Sequence, residues 1–396
     1  MHSSHSPPYP VAKSQPGKQT PCSLKPLPQV CPHAYRPPEE PQVHGSGPEP
    51  IRNLRLTRAV TPVASQVIVD MPVALITGIT GQDGSYLTEL LLEKGYEVHG
   101  TVRRTSTLER SRLAHLYHDD NVYHRRLFLH YADLDDPTTL RRVLQHVAPS
   151  EVYHLAGQSH VGLSFEIPET TCEFTAMGTL RLLEILRDLP KSPRFFHATS
   201  SELFGRPTES PQTERTPFAP VNPYGCAKAF ATQLIRVYRE AHDLFAVNGI
   251  LYNHESPRRG EGFVTRKICR AAAAIKAGRQ ETLKLGNTSA QRDWGHARDY
   301  VRGMWLALQH ETPDDYIFAT GRLHSVQDVL EQAFHSLDLN WRDHVVTDPH
   351  FIRPSEPLNL VGDATKAREQ LGWIPQTSFA DLIREMTLAE LHALTT

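Results

Sequence analysis

The chain reads as an α/β protein built on a doubly wound parallel sheet, with a smaller helix-rich C-terminal layer. Two observations carry this reading. From Val73 onward, strand-like and helix-like segments alternate with the regularity of a parallel sheet covered on both faces. The first strand then runs into Gly78, Gly81 and Gly84, a glycine-rich turn that opens a helix.

The elements follow in order. Val73–Thr77 is a short apolar strand. Residues 85–94 have helical spacing, and Gly95 suits the position just past a helix end. Glu97–Val102 is a second strand and Leu127–Tyr131 a third, followed by a helix over 138–147. A fourth strand spans 151–155 and precedes a helix over 179–189. The fifth strand, 194–198, leads into a long helix over 224–243, and 245–252 is the sixth. Beyond Pro257 the alternation loosens into a helix over 265–277, a short strand over 282–285, and helices over 299–309, 326–337, 364–371 and 379–394. The expected organisation is therefore a dinucleotide-binding domain over 71–256 and a substrate-binding domain over 257–396, with interleaving of segments allowed. The second would close over the carboxyl edge of the sheet, where open α/β sheets bind ligands.

Residues 1–70 differ in kind. They are punctuated by proline, show no sustained periodicity, and lack the apolar core of a secretory signal. Such a segment cannot bury enough apolar surface to offset its chain entropy, so a disordered Pro-rich tail is expected, with a regulatory or targeting role as the alternative. Met71, directly before the first strand, is the expected start of translation.

Composition excludes several classes. The 396 residues give ample length for a buried core. Lys plus Arg number 42 against 44 Asp plus Glu, so no global field draws the chain to nucleic acid or to an acidic membrane. No apolar run approaches the roughly 18 to 20 residues of a membrane span. Five cysteines lie scattered without CxxC spacing, which argues against a disulfide framework or a zinc site and for a reducing, cytoplasmic setting.

The glycine turn points to a nicotinamide dinucleotide held by a Rossmann-type sheet. Glycines at this spacing permit a tight turn, and they let backbone N–H groups reach a pyrophosphate at the helix N-terminus. Gly78, Thr80, Gly81, Gln82, Asp83 and Gly84 are the candidate contacts. Where NAD sites carry Asp or Glu about 20 residues on, this chain has Arg103 and Arg104. A guanidinium there favours a 2′-phosphate, hence NADP; two solvated surface arginines are the alternative. Asp133 and Leu134, after the third strand, are placed to meet the adenine edge, and capping of the loop by Asp133 is an equal reading.

Chemistry concentrates after the fifth strand. Tyr224 and Lys228 are four residues apart on one helix face. A lysine ammonium near a phenol is expected to lower the tyrosine pKa from about 10, so the pair could take a proton from a sugar hydroxyl as hydride leaves its carbon. Ser200 adds a hydroxyl able to polarise that alcohol. Glu202 goes beyond the needs of a plain dehydrogenase. A carboxylate beside the ring can remove the proton α to a new ketone, after which water is lost; a simple loop charge is the alternative.

With these residues in place, the chain from Met71 to the C-terminus resembles the GDP-mannose 4,6-dehydratase family of extended short-chain dehydrogenases/reductases. The most specific stretches are LITGITGQDGSYL over 75–87, QSHV over 158–161, NHESPRRG over 253–260 and RDWGH over 292–296. The resemblance implies that Tyr224, aided by Lys228, deprotonates the C4 hydroxyl of GDP-mannose while hydride passes to NADP⁺. It implies that Glu202 removes the C5 proton, that water leaves C6, and that the same hydride returns there. Leu155, Ala156, Gly157, Gln158 and Ser159 would line the nicotinamide side, and His254 and Arg259 would contact the cofactor. Ser159, Asn253, Lys267, Arg292, Arg353 and Glu356 would lie near the GDP-sugar, although Arg353 and Glu356 could instead form a surface ion pair. A homodimer or homotetramer is implied, with Arg103 able to reach a neighbouring subunit.

Three departures from the family pattern stand out. Ser200 replaces a usual threonine, Gly157 a common alanine, and Thr170 a frequent cofactor-contacting tyrosine. Two other readings compete. One is another NAD(P)-dependent sugar-nucleotide enzyme, a 4-epimerase or 4-keto reductase, which has no need of a C5 base such as Glu202. The other is a non-catalytic dinucleotide sensor, which has no reason to keep Ser200, Glu202, Tyr224 and Lys228 together.

Overall fold

The structure is a computed structural model that describes residues 71–104, 111–348 and 359–396. Its strands are β1 (Val73–Thr77), β2 (Glu97–Val102), β3 (Leu127–Tyr131), β4 (Glu151–His154), β5 (Arg194–Ser200), β6 (Ala246–Leu251), β7 (Asn253–Glu255), β8 (Leu283–Leu285), β9 (Gln291–His296), β10 (Asp315–Phe318), β11 (Leu323–Ser325) and β12 (Val345–Thr347). The helices of the first half are α1 (Gln82–Glu93), α2 (Ala114–Tyr117), α3 (Pro137–Val147), α4 (Pro168–Cys172), α5 (Gly178–Arg187) and α6 (Pro223–His242). Those of the second half are α7 (Val264–Lys276), α8 (Ala297–Gln309), α9 (Val326–His335), α10 (Thr365–Leu371) and α11 (Phe379–Thr395).

Seven parallel strands form the main sheet in the order β10-β6-β5-β4-β1-β2-β3. The chain order reverses between β1 and β4, and a doubly wound sheet offers its crevice at that switch point. Both faces are covered. Leu87, Leu91, Val98, Phe196, Tyr300 and Met304 belong to one buried cluster, and Leu75, Leu144, Val152, Leu183, Phe195 and Ile235 to another. The six expected strands are all present. The seventh, β10, comes from the C-terminal half, and α8 joins the same core as α1.

The remainder of the second half is richer in strand than its sequence suggests. β9 lies between β11, antiparallel, and β7, parallel, and β12 pairs with β8. Of these, β8 is the short strand expected over 282–285, whereas β7, β11 and β12, of three residues each, are too short for a two-residue alternation to show. A third apolar cluster, with Ile268, Trp294, Leu330, Phe334 and Ile383, joins β9 to α7, α9 and α11.

Glycine decides the first turn. Gly78 has φ +75°, and a Cβ there would meet Ala156 N at 2.8 Å. A Cβ on Gly84, in the first turn of α1, would run into Gly78 O. Any side chain at either position would push β1, α1 and the loop after β4 apart.

Candidate active site

One cleft of about 820 Å³ opens along the carboxyl ends of β1, β2, β4 and β5. It is lined by Gly78, Thr80, Gly81, Gln82, Asp83 and Gly84, and by Arg103, Asp133 and Leu134. Leu155, Ala156, Gly157, Gln158 and Ser159 form another wall, with Asn253, His254 and Arg259 nearby. Ser200, Glu202, Tyr224 and Lys228 line the same space. Segments far apart in sequence meet here because parallel strands all end at one edge.

The turn leaves room for an anion at the start of α1. Gly81, the N-cap of α1, makes no side-chain cap hydrogen bond, so no side chain of the cap residue covers the first N–H groups of that helix. Gln82 and Asp83 tie the turn to β7 instead. Gln82 Nε2 donates to His254 O at 3.0 Å, and Ser256 Oγ donates to Gln82 Oε1 at 2.8 Å. Asp83 Oδ2 stands 2.9 Å from His254 Nε2. Burial alone would raise the Asp83 carboxyl, but the charge and hydrogen bond of His254 outweigh it and hold it below the ordinary value. Burial likewise opposes the charged form of His254, and Asp83 overrides it, so His254 titrates above its usual value.

Arg103 is exposed just beyond β2. Asp133 fits both readings of its role. It lines the cleft, and its Oδ1 accepts from Leu134 N at 2.8 Å. Burial raises its carboxyl, partly offset by that bond and by Arg103. Thr170 also lines the cleft. It precedes a π-helical segment, Glu173–Met177, that joins α4 to α5.

The four candidate catalytic groups converge through α6. Asn222 caps this helix, its Oδ1 accepting from Gly225 N at 2.8 Å, and Pro223 occupies the first helical position. The other end of the same amide, Nδ2, donates to Glu202 Oε2 at 2.8 Å. One residue therefore starts the helix that carries Tyr224 and Lys228 and also orients the carboxylate. Asn222 is absent from the candidates read in the sequence. The pattern Asn-Pro directly before an apolar-periodic segment was the signal that could have revealed it.

The electrostatics differ from the expectation at one point. Tyr224 is not lowered: burial pushes it up to about 12, eased by a hydrogen bond with Ser200 and reinforced by the Glu202 charge. Lys228 lies 6.0 Å from the Tyr224 ring centroid, and its Nζ donates to Ala198 O at 2.5 Å. Desolvation outweighs a lysine at that distance, so Tyr224 stands here as a neutral phenol. Burial also lowers Lys228, to about 8.

Of the other predicted sugar-nucleotide residues, Arg292 and Lys267 are not among those that line the cleft. Arg292, on β9, lines a second hollow of about 680 Å³ with Asn287, Gln291 and Asn359. Lys267, on α7, donates from Nζ to Lys284 O at 2.9 Å. Arg353 and Glu356 lie outside the described residues. Arg112, which the sequence reading passed over, lines the main cleft and donates to Thr80 O and Arg258 O.

A family model described as GDP-mannose 4,6 dehydratase matches residues 75–386. The chain belongs to the GDP-mannose 4,6-dehydratase family. GDP-mannose 4,6 dehydratase 1 of Arabidopsis thaliana is 52% identical over 333 residues, covering 83% of this chain and 92% of that protein. The GDP-mannose 4,6 dehydratase of Homo sapiens is 48% identical over 344 residues, covering 82% and 92%. Among solved structures, the dTDP-glucose 4,6-dehydratase DesIV of Streptomyces venezuelae, with NAD and TYD bound, superposes with a TM-score of 0.70 at 26% identity, covering 80% of this chain and 96% of that one. RMD of Pseudomonas aeruginosa, complexed with NADPH, shares the fold with a TM-score of 0.67 at 22% identity, covering 82% and 100%. Membership of this dehydratase family makes the chain a hydro-lyase, and the folds of these neighbours match the seven-stranded sheet described above.

Proposed function

We propose that this chain converts GDP-mannose into GDP-4-keto-6-deoxy-mannose and water, with a nicotinamide dinucleotide, NADP, held in the cleft. The observation that carries the reading is Glu202, aimed by Asn222 into the space that Ser200, Tyr224 and Lys228 also line. An epimerase or a simple reductase has no use for a carboxylate at that point.

The residues fit the cofactor by their own chemistry. The turn from Gly78 to Gly84 offers backbone donors and no Cβ that would block an approaching pyrophosphate. Arg103 offers a cation for a 2′-phosphate, and Asp133 and Leu134 flank the adenine side. Leu155, Ala156, Gly157, Gln158 and Ser159, together with His254 and Arg259, hold the nicotinamide end. When bound, the oxidised dinucleotide supplies a hydride acceptor, a returnable hydride and a positive ring charge.

The protein's side chains move the protons. Ser200 holds the C4 hydroxyl against the phenol, and Tyr224 Oη takes its proton. Because burial disfavours the phenolate, the charge on Lys228 is what this chain supplies to favour it. Glu202 takes the C5 proton, acidic once C4 is a ketone, and passes it to the departing C6 hydroxyl, which leaves as water. The proton stored on Tyr224 balances the one that C5 regains. Asn253 and Ser159 border the sugar, Glu356 is a further contact near the GDP-sugar, and Arg292, Lys267 and Arg353 are the cations for a diphosphate, which calls for charge-assisted donors.

Self-association as a homodimer or homotetramer fits the surface of α6. Phe230 is 45% exposed and Val237 53% exposed, and with Cys226 and Leu234 they recur at helical spacing on one face. A cytoplasmic location fits the scattered cysteines. Among the described residues no helix is long and apolar enough to cross a membrane.

Incubation of the protein with GDP-mannose and substoichiometric NADP⁺ tests the reading. Full conversion to a 4-keto-6-deoxy product with flat absorbance at the NADPH band is expected. Stoichiometric NADPH, or a simple epimer, would refute it.

A further inference from the structure

A buried row of polar side chains crosses one face of the sheet beneath Lys228. Neighbours in register on parallel strands share a face. The row runs Thr77 on β1, His154 on β4, His197 on β5, Asn248 on β6 and Asp315 on β10. None is more than 4% exposed. Thr199, two residues beyond His197, meets Thr232 of α6 at 2.7 Å, so this face of β5 looks onto the helix that carries Lys228.

Most of the row is satisfied. His154 uses both ring nitrogens, Nδ1 with Thr77 Oγ1 at 2.8 Å and Nε2 with Thr179 Oγ1 at 3.1 Å. Asp315 is paired with Arg236 and Arg239, each at 2.6 Å. Asn248 Nδ2 donates to Asp315 Oδ1 at 2.9 Å and to Thr232 O at 3.2 Å. Two gaps remain, and they are neighbours in register. Neither ring nitrogen of His197 has a partner, and neither does Asn248 Oδ1. Leaving such groups unpaired in the interior is costly.

The two gaps are complementary. The Asp315 carboxylate only accepts, so it draws the Asn248 amide NH₂ toward itself and leaves Oδ1 for the other side. Oδ1 lacks a donor, and the imidazole at the neighbouring position in register has an N–H that lacks an acceptor. The other imidazole nitrogen then carries a lone pair. Burial, and next the Lys228 charge, hold His197 well below its ordinary pKa, so it is neutral. An ammonium carries three donors, and Ala198 O, one residue along β5, takes one from Lys228.

We propose that Asn248 locks His197 in the tautomer whose second nitrogen offers its lone pair to the Lys228 ammonium, directly or through one buried water. His197 is thus a positioning residue that helps keep Lys228 charged. The proposal rests on the reading of Lys228 as the proton-handling partner of Tyr224. The other titratable groups around Lys228 are accounted for. His154 on β4 is spent on its two threonines, and burial, then the Lys228 charge, bring it down to about 3. Tyr224 lies one turn earlier on α6, and Glu202 beyond β5 bonds Asn222. From α5, Arg181 turns to Glu173 and Glu184 to Tyr238; from β10, Asp315 turns to its arginines.

The test follows Lys228 directly. Full-length protein carrying ¹³Cε-lysine is titrated by NMR, the Lys228 signal being the one missing in Lys228→Met. Replacement of His197 by Leu removes the lone pair and is expected to move the Lys228 titration, and the basic limb of kcat/KM, down by about one pH unit. His197→Gln keeps an acceptor and is expected to restore most of the shift. Thermal melts of both variants show that they are folded. A Lys228 titration in a folded His197→Leu protein that matches the wild type overturns the proposal, as does equal behaviour of the Leu and Gln variants. A Lys228→Met protein with full turnover would instead overturn the reading of Lys228, so the two failures are distinguishable.

Discussion

Tyr224 and Lys228 share one helix face but do not share a direct bond, and this shapes how the site responds to pH. Tyr224, held near 12 by burial, does not titrate in the ordinary working range until a positive charge beside it favours its phenolate. Lys228, lowered to about 8 by burial, does. The ammonium is present below that value and lost as pH rises through it. Turnover is therefore expected to fall on the basic side near pH 8, a limb to be read from kcat/KM profiles. Replacing Tyr224 with Phe should cost roughly 10²–10⁴-fold in turnover while a fluorescence titration still shows dinucleotide binding. The residue pattern was legible in the sequence, spacing and all. The direction of the tyrosine shift was not, because it comes from burial by elements distant in the chain.

At the scale of elements, α6 is the organising part. Asn222 links its cap to Glu202, so the helix start and the position of the carboxylate are one structural decision. Asn222→Ala should cost about 1 kcal/mol of stability through the lost cap, measured by urea unfolding. It should also lower kcat by roughly 10²-fold, because the carboxylate loses its placement. A loss of stability without a loss of kcat would show that Asn222 serves the helix alone. The six central strands and the long helices were readable because their apolar runs are long and Gly78 punctuates the first crossover. β10 was not, because Asp315–Phe318 has four residues, and its place beside β6 is set by packing partners far away in sequence. β9 was missed for another reason: its polar residues mark it as a site motif and hide its character as a strand.

At the scale of the whole molecule, the second half of the chain returns to the sheet before it builds its own layer. Strand β10 and helix α8 complete the first core, while α7, α9 and α11 gather around β9. Two hollows result, one along the edge of the sheet and one beside Arg292. The exposed apolar face of α6 adds an expectation about assembly. Light scattering should give the mass of a dimer or tetramer, and the double replacement of Phe230 and Val237 by Glu should reduce it.

In the proposed reaction hydride leaves C4 and returns to C6 of the same sugar, with Glu202 removing the C5 proton in between. GDP-mannose deuterated at C4, turned over in water with substoichiometric NADP⁺, tests it most directly. The expected product is a 4-keto-6-deoxy sugar nucleotide that carries the deuterium at C6, with solvent hydrogen at C5. Deuterium retained at C4, or accumulated in reduced dinucleotide, would contradict it.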